Sequence, residues 1–198
     1  VSHAPGWNQA WRAPLREGLD WLATEFAAIF EERGRRFFKD PWKARDDYIG
    51  VLLHPSTEDR DLFIDHHTMR PLDTAERIEA LQLLESQRMA LFMFTSCGWF
   101  FDEISGLEAT QVLRYAARGI DFLRPWARED LESRLMEFLG RAPSNDPVYG
   151  NGAAVYRQKA APSRVDASLA AANYALAASG PSAGSASPTG WDSVSYTH

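Results

Sequence analysis

Apolar residues recur every three or four positions along most of the chain, the spacing that places them on one face of an α-helix. Over 9–33 this stripe consists of Trp11, Leu15, Leu19, Leu22, Phe26 and Ile29. Pro14 suits the first turn of that helix, where its missing N–H is not needed. A second helix is expected over 40–53, with Asp40 as its N-cap and Pro41 at its first helical position.

Another long predicted helix runs from 74 to about 96 and ends in an unusual apolar stretch. Asp73 and Glu76 have the spacing of a capping box at its start. Its last turns, "MALFMF", are apolar nearly all round. We therefore expect this stretch, including Leu91, to be surrounded by protein. Gly98 is placed to end the helix.

The rest of the chain before residue 179 also has helical spacing or loop composition. A short helix or turn is expected over 58–68, helices over 106–123 and 127–139, and two weaker helices over 147–159 and 164–178. Together the helices predict an all-α bundle of about six helices over 6–178. From 179 the chain is rich in Ser, Gly and Pro without periodicity, which predicts a disordered tail. The final "VSYTH" resembles one reading frame of a transposon sequencing adapter, so we expect 179–198 to be foreign to the gene product.

Composition narrows the class of protein. The net charge is −6, which argues against a nucleic-acid partner, since such partners attract clustered positive charge. The one cysteine excludes an intrachain disulfide and a cysteine-built zinc site. The longest apolar run is far too short to span a bilayer. We therefore expect a cytoplasmic protein without a membrane partner or a cofactor.

The stretch "TSCGWFFDEISGLE" holds the most distinctive candidate chemistry. Aromatic rings can stack on the C–H faces of sugars, and carboxylates can accept hydrogen bonds from sugar hydroxyls. The candidate substrate-binding residues are Cys97, Trp99, Phe100, Asp102 and Glu103. Spacing alone favours a different interpretation, in which the rings fill the core at a helix junction and Asp102 caps the following turn.

The segment "GWNQAWR" offers a second aromatic candidate. Trp7 and Trp11 are four residues apart and would share a helix face, with Arg12 beside them. The three residues could form another aromatic wall of a binding site. A helix docking on its neighbours through the same tryptophans is the more common arrangement.

The sequence gives little support for a metal site built from histidines or for a nucleophilic cysteine. Asp65, His66 and His67 are adjacent and His54 lies upstream, but the chain has no HExxH motif and no histidine pair at i, i+4. No metal site is therefore predicted. Cys97 follows a helix C-terminus, which disfavours a thiolate, so a small buried thiol is expected rather than a nucleophile.

Four blocks resemble one family. They are "GWNQAWRAPLREGLDWL", "DPWKARDDYI", "FTSCGWFFDEISGLEATQVLRYAARGIDF" and "YGNGAAVY". They look like successive parts of domain of unknown function 3536, which is found C-terminal to glycoside hydrolase family 57 catalytic domains. Those proteins are described as alpha-amylase or alpha-mannosidase types. The resemblance covers about 6–178, and the chain, which does not begin with Met, would start far inside the full protein.

The resemblance implies a function shared between two regions. In family 57 enzymes a distorted (β/α) barrel carries both catalytic carboxylates, so no residue of this chain is expected to be catalytic. A helical region packs on the barrel and contributes one motif to the sugar cleft, to which 94–103 corresponds here. By this resemblance Cys97, Trp99, Phe100 and Asp102 face an alpha-glucan-like substrate, while Leu91 stays in the core. The local pattern differs from the usual family motif, in which Asp follows shortly after Cys or Ser.

Two other functions remain open from the sequence. The region could be a structural or oligomerisation module that only stabilises the barrel. It could also be a thiol-dependent enzyme that uses Cys97, which is the least favoured of the three.

Overall fold

The computed structural model describes residues 5–54 and 56–164, and this part of the chain is built from helices. In chain order they are α1 (Arg12–Gly34), α2 (Pro41–Asp47), α3 (Ile49–Leu53), α4 (Thr57–His67), α5 (Thr74–Phe92), α6 (Leu107–Leu123), α7 (Leu131–Gly140) and α8 (Gly152–Val155). Within these residues no segment forms a regular strand, and two isolated bridges join Phe38 to Thr68 and Pro143 to Asn151. The all-α prediction is confirmed.

Helix α1 is the centre of the bundle. Its apolar stripe is buried as predicted: Leu15, Leu19, Leu22 and Phe26 are all fully inaccessible to solvent. The helix packs against α5, α6 and α7, while α5 and α6 form the most extensive helix pair. Burying each such side chain stabilises the fold by roughly 1.5–3 kcal/mol. None of the helices in the described residues is both long and apolar enough to cross a membrane.

The region predicted as one helix over 40–53 contains two. The Asp40 carboxylate accepts a hydrogen bond from the Lys43 backbone N–H at 3.0 Å, which confirms the predicted start of α2. The chain then turns at Tyr48, which separates α2 from α3. The Tyr48 side chain is buried and its hydroxyl donates to Glu85 at 2.8 Å. The break therefore directs this ring toward α5.

Helix α5 begins as predicted and ends earlier. The capping box is present, with Asp73 accepting from the Glu76 N–H and the Glu76 side chain accepting from the Asp73 N–H. The helix ends at Phe92, and the chain tightens there because the N–H groups of Phe94 and Thr95 bond to carbonyls three residues back. The prediction of a buried Leu91 is wrong, since this side chain is 62% exposed. Met93, on another face of the turn, is fully buried.

Gly98 has a role other than the predicted one. It lies in a 3₁₀ turn, Ser96–Trp99, beyond the end of α5. A Cβ at this position would lie 2.3 Å from Cγ2 of Val112 on α6. The glycine is thus needed for close packing of the turn on α6 rather than for ending the helix.

The last described helices follow a short 3₁₀ turn, Arg124–Trp126. Because of that turn α7 begins at Leu131, four residues after the predicted start, where Asp130 caps the backbone N–H groups of Glu132 and Ser133. Helix α8 continues into a π-helical turn, Tyr156–Ala160. The predicted helix over 164–178 lies outside the described residues except for its first position, and the predicted tail over 179–198 lies wholly outside them.

Candidate functional site

Three separate segments meet at the loop formed by residues 97–105. The Asn145 side-chain amide donates to the Asp102 backbone carbonyl at 2.7 Å and to the Asn8 carbonyl at 2.8 Å. The Asn8 backbone N–H donates back to the Asn145 Oδ1 at 3.1 Å. A single side chain therefore joins the segment before α1, the 97–105 loop and the loop after α7.

Trp11 forms the buried base of this loop. The prediction that Trp7 and Trp11 share a helix face is wrong, because α1 begins only at Arg12 and Trp7 lies outside the helix. The Trp11 indole is fully buried and its Nε1 donates to the Asp102 carbonyl at 2.9 Å. Its ring stacks on Trp99, with 6.2 Å between ring centroids and 15° between planes. Trp11 is therefore a support for the loop rather than part of a surface wall.

Glu103 is turned inward and fixes the loop through three hydrogen bonds. Its Oε1 accepts from the Ser105 N–H at 2.9 Å and from the Ser144 hydroxyl at 2.5 Å. Its Oε2 accepts from the Asn145 N–H at 2.6 Å. The residue is 8% exposed. Because each of these bonds is made to a charged acceptor, the carboxylate is well compensated for its burial.

Asp102 is also an interior residue. It is 5% exposed, and its Oδ1 accepts from the Gln9 side-chain amide at 2.8 Å. Asp102 and Glu103 were both candidate substrate contacts, whereas the structure directs both carboxylates into the protein. The geometry favours a positioning role for this pair, and a direct contact with a ligand stays a prediction.

The aromatic side chains that follow Gly98 divide between interior and surface. Trp99 is half-buried on Trp11, whereas Phe100 is 59% exposed and Phe101 is 41% exposed. The two phenylalanine rings meet edge to face at 5.2 Å between centroids. Cys97, at the start of the same loop, is exposed, so the expectation of a buried thiol is wrong. The loop presents two adjacent rings to solvent on a fixed backbone.

Phe101 was absent from the candidate residues drawn from the sequence. The signal was present, because three consecutive rings in a short turn point in different directions and cannot all enter the core. Arg12 supports Phe101 from the α1 side, donating from Nη2 to its backbone carbonyl at 3.1 Å. The Arg12 guanidinium also lies 5.5 Å from the Trp11 ring centroid. Arg12 is thus placed to hold the loop.

Residues 7–187 match the family model of domain of unknown function 3536. The chain belongs to this family. The matched range includes all three segments of the site and extends past residue 178, where the helical domain was predicted to end. No curated protein and no solved structure matches the chain.

Apart from the 97–105 loop, this family 3536 domain has a groove between α3 and α4. It has a volume of about 580 Å³, and its lining includes His54, His66 and His67. No metal site was predicted from these histidines. The His67 Nε2 lies 3.4 Å from the Asp47 carboxylate. Burial lowers the pKa of His67, and the attraction of Asp47 only partly opposes this effect. Across the residues that the structure describes, no three metal-ligating side chains converge on a common point.

Proposed function

We propose that this chain is the helical region of a glycoside hydrolase family 57-like protein and that its 97–105 loop lines one side of a carbohydrate cleft. Membership of the family, together with the resemblance described above, supports the link to such proteins. The observation that carries the proposal is the exposed pair Phe100 and Phe101 on a loop anchored from within.

Exposed rings on a rigid loop are suited to binding sugars. Burying a phenylalanine side chain would stabilise the fold by roughly 1.5–3 kcal/mol, so two adjacent exposed rings forgo that gain. Their apolar faces can pack on the C–H groups of a pyranose ring. The backbone of the loop is kept in place by the inward carboxylates of Asp102 and Glu103 and by the stacked Trp11. Little conformational entropy would therefore be lost when a sugar binds.

In this proposal the residues of the loop have two kinds of role. Phe100 and Phe101 would contact the sugar, with Trp99 beside them and Cys97 at the edge of the surface. Asp102 and Glu103 would act by positioning the loop. Retaining glycoside hydrolysis requires two carboxylates roughly 5–5.5 Å apart across the scissile bond. In this proposal the barrel supplies both, so this chain binds an alpha-glucan-like ligand without cleaving it.

The proposal is tested by removing the two rings together. We expect Phe100→Ala combined with Phe101→Ala to weaken maltoheptaose binding about 5- to 150-fold in titration calorimetry, given about 0.5–1.5 kcal/mol for each aromatic contact. Stability should change little because both rings are exposed. Ile78→Ala is the matched control, since Ile78 is 54% exposed on α5 and away from the loop in sequence. Equal affinity of the double variant and the control would contradict the proposal.

The alternative function, a structural or oligomerisation module without substrate contact, has one observation in its favour. Ile49, Leu53 and Leu62 on α3 and α4 are all more than half exposed. If this surface mediates association, sedimentation should show a concentration-dependent oligomer. The combination of Leu53→Ser and Leu62→Ser should then return the chain to a monomer, and the same variant should bind maltoheptaose normally only if the carbohydrate proposal holds.

A further inference from the structure

A groove of about 570 Å³ lies where the first turns of α6 meet the π-helical turn, Tyr156–Ala160. Its polar lining consists of Ser105, Thr110, Arg114, Gln158, Lys159 and Ser163. Among the described residues, the lining includes two cationic side chains and no carboxylate. This is unusual in a chain of net charge −6, where many arginines pair with acids.

The two cations have no anionic partner within the described residues. Arg114 and Lys159 approach no carboxylate oxygen there within ion-pairing distance, and their hydrogen bonds are made to neutral carbonyl and amide oxygens. The Lys159 Nζ donates to the Ser105 carbonyl at 2.7 Å and lies 5.0 Å from the Tyr149 ring centroid. Arg114 donates from Nε to the Lys159 carbonyl at 3.3 Å. Both charged groups are therefore held in place without being neutralised.

Each cation keeps hydrogen-bonding capacity. A guanidinium has five N–H groups and an ammonium has three, and the contacts above use only part of either set. Gln158 and Ser105 line the same groove. The hydroxyl protons of Thr110 and Ser163 are committed to backbone carbonyls. Arg114 and Lys159 thus remain as the main donors for an incoming group.

The local backbone explains why these groups meet. Lys159 belongs to the π-helical turn, a backbone form that is rare and is found frequently at functional sites. Through that turn its carbonyl accepts from Arg114 while its side chain reaches Ser105, so one residue contacts both walls of the groove. Leu107, which is 72% exposed, and Pro162 add an apolar rim.

We infer that this groove binds a small oxyanion, a phosphate or a phosphate ester, through Arg114 and Lys159. A tetrahedral oxyanion offers several acceptor oxygens to donors that converge from two sides, and charge-assisted bonds to it are among the strongest hydrogen bonds in proteins. The apolar rim suits the carbon frame of an ester. This site uses none of the exposed rings of the 97–105 loop and is independent of the carbohydrate proposal.

The inference is tested by titrating the full chain with inorganic phosphate and, separately, with glucose 6-phosphate at low ionic strength. We expect saturable binding that weakens with added salt. Arg114→Gln and Lys159→Gln should each weaken it about tenfold, as expected for loss of one charge-assisted bond. Arg157→Gln is the matched control, because Arg157 is exposed on the same π-helical turn but does not line the groove. The control should bind as the parent does.

The two probes distinguish the source of the anion. Tighter binding of glucose 6-phosphate would identify a phosphorylated sugar, whereas equal affinities would identify the phosphate group alone as the ligand. Absence of saturable binding, or equal weakening by Arg157→Gln, would overturn the inference. Thermal unfolding of each variant shows whether it is folded, and two independent groove variants keep the test decisive if one of them does not fold.

Discussion

Replacing Glu103 by Gln tests whether the buried carboxylate holds the 97–105 loop in place. The change keeps the size of the side chain and removes the charge. One oxygen remains for the Ser105 N–H and the Ser144 hydroxyl. The other oxygen becomes an NH₂ group that faces the Asn145 N–H, so two donors oppose one another where a 2.6 Å hydrogen bond had been.

The cost follows from that geometry. Loss of one charge-assisted bond costs about 1.5–3 kcal/mol, and leaving a buried N–H without an acceptor costs about 1–3 kcal/mol more. The two bonds that remain also weaken, since their acceptor is no longer charged. We therefore expect Glu103→Gln to lower the free energy of unfolding by about 2.5–6 kcal/mol.

Urea unfolding followed by tryptophan fluorescence measures this change. Glu137→Gln is the matched control, because Glu137 pairs with Arg134 at the surface and such a pair contributes only about 0–1 kcal/mol. The Glu103 variant should also bind maltoheptaose more weakly under conditions where it is folded, as the rings would lose their fixed position. A destabilisation no larger than that of Glu137→Gln would refute the role assigned to Glu103.

Three other changes test separate parts of the structure. Gly98→Ala should lower the free energy of unfolding by about 1–3 kcal/mol, because the new methyl group clashes with Val112. In urea unfolding, the double variant with Val112→Ala should lose less free energy than the two single variants lose together. Burial lowers the pKa of His67, so below about pH 6.5 unfolding is accompanied by uptake of a proton and the free energy of unfolding should decrease. His67→Gln should remove this pH dependence. His66→Gln, at an exposed position, should leave it unchanged. A maleimide reagent should label the exposed Cys97 in the folded protein, as mass spectrometry would show, and a bulky label should block maltoheptaose binding.

The helices were largely predictable because burial repeats with the helical period. The α1 stripe and the caps at Asp40 and Asp73 depend on neighbours in sequence, so local spacing was sufficient to identify them. The apolar turns that include Leu91 were different. A stretch that is apolar all round does not specify which face meets the core, and the early end of α5 leaves Leu91 in solvent.

The candidate site was only partly predictable because its supports come from distant parts of the chain. The Glu103 carboxylate accepts hydrogen bonds from residues 41 and 42 positions away, and Trp11 meets Asp102 across 91 positions. Nothing in the local sequence indicates these pairings. The residue types nevertheless drew attention to this loop, and the structure shows which of its side chains face outward.

The most direct test of the central proposal is a titration of the isotope-labelled chain with maltoheptaose, followed by amide and indole N–H resonances. We predict saturable shifts concentrated in residues 97–103, with a smaller shift of the Trp11 indole N–H because it donates to the Asp102 carbonyl. Absence of saturable shifts in that loop at high ligand concentration, or shifts confined to α3 and α4, would contradict the proposal that the 97–105 loop binds carbohydrate.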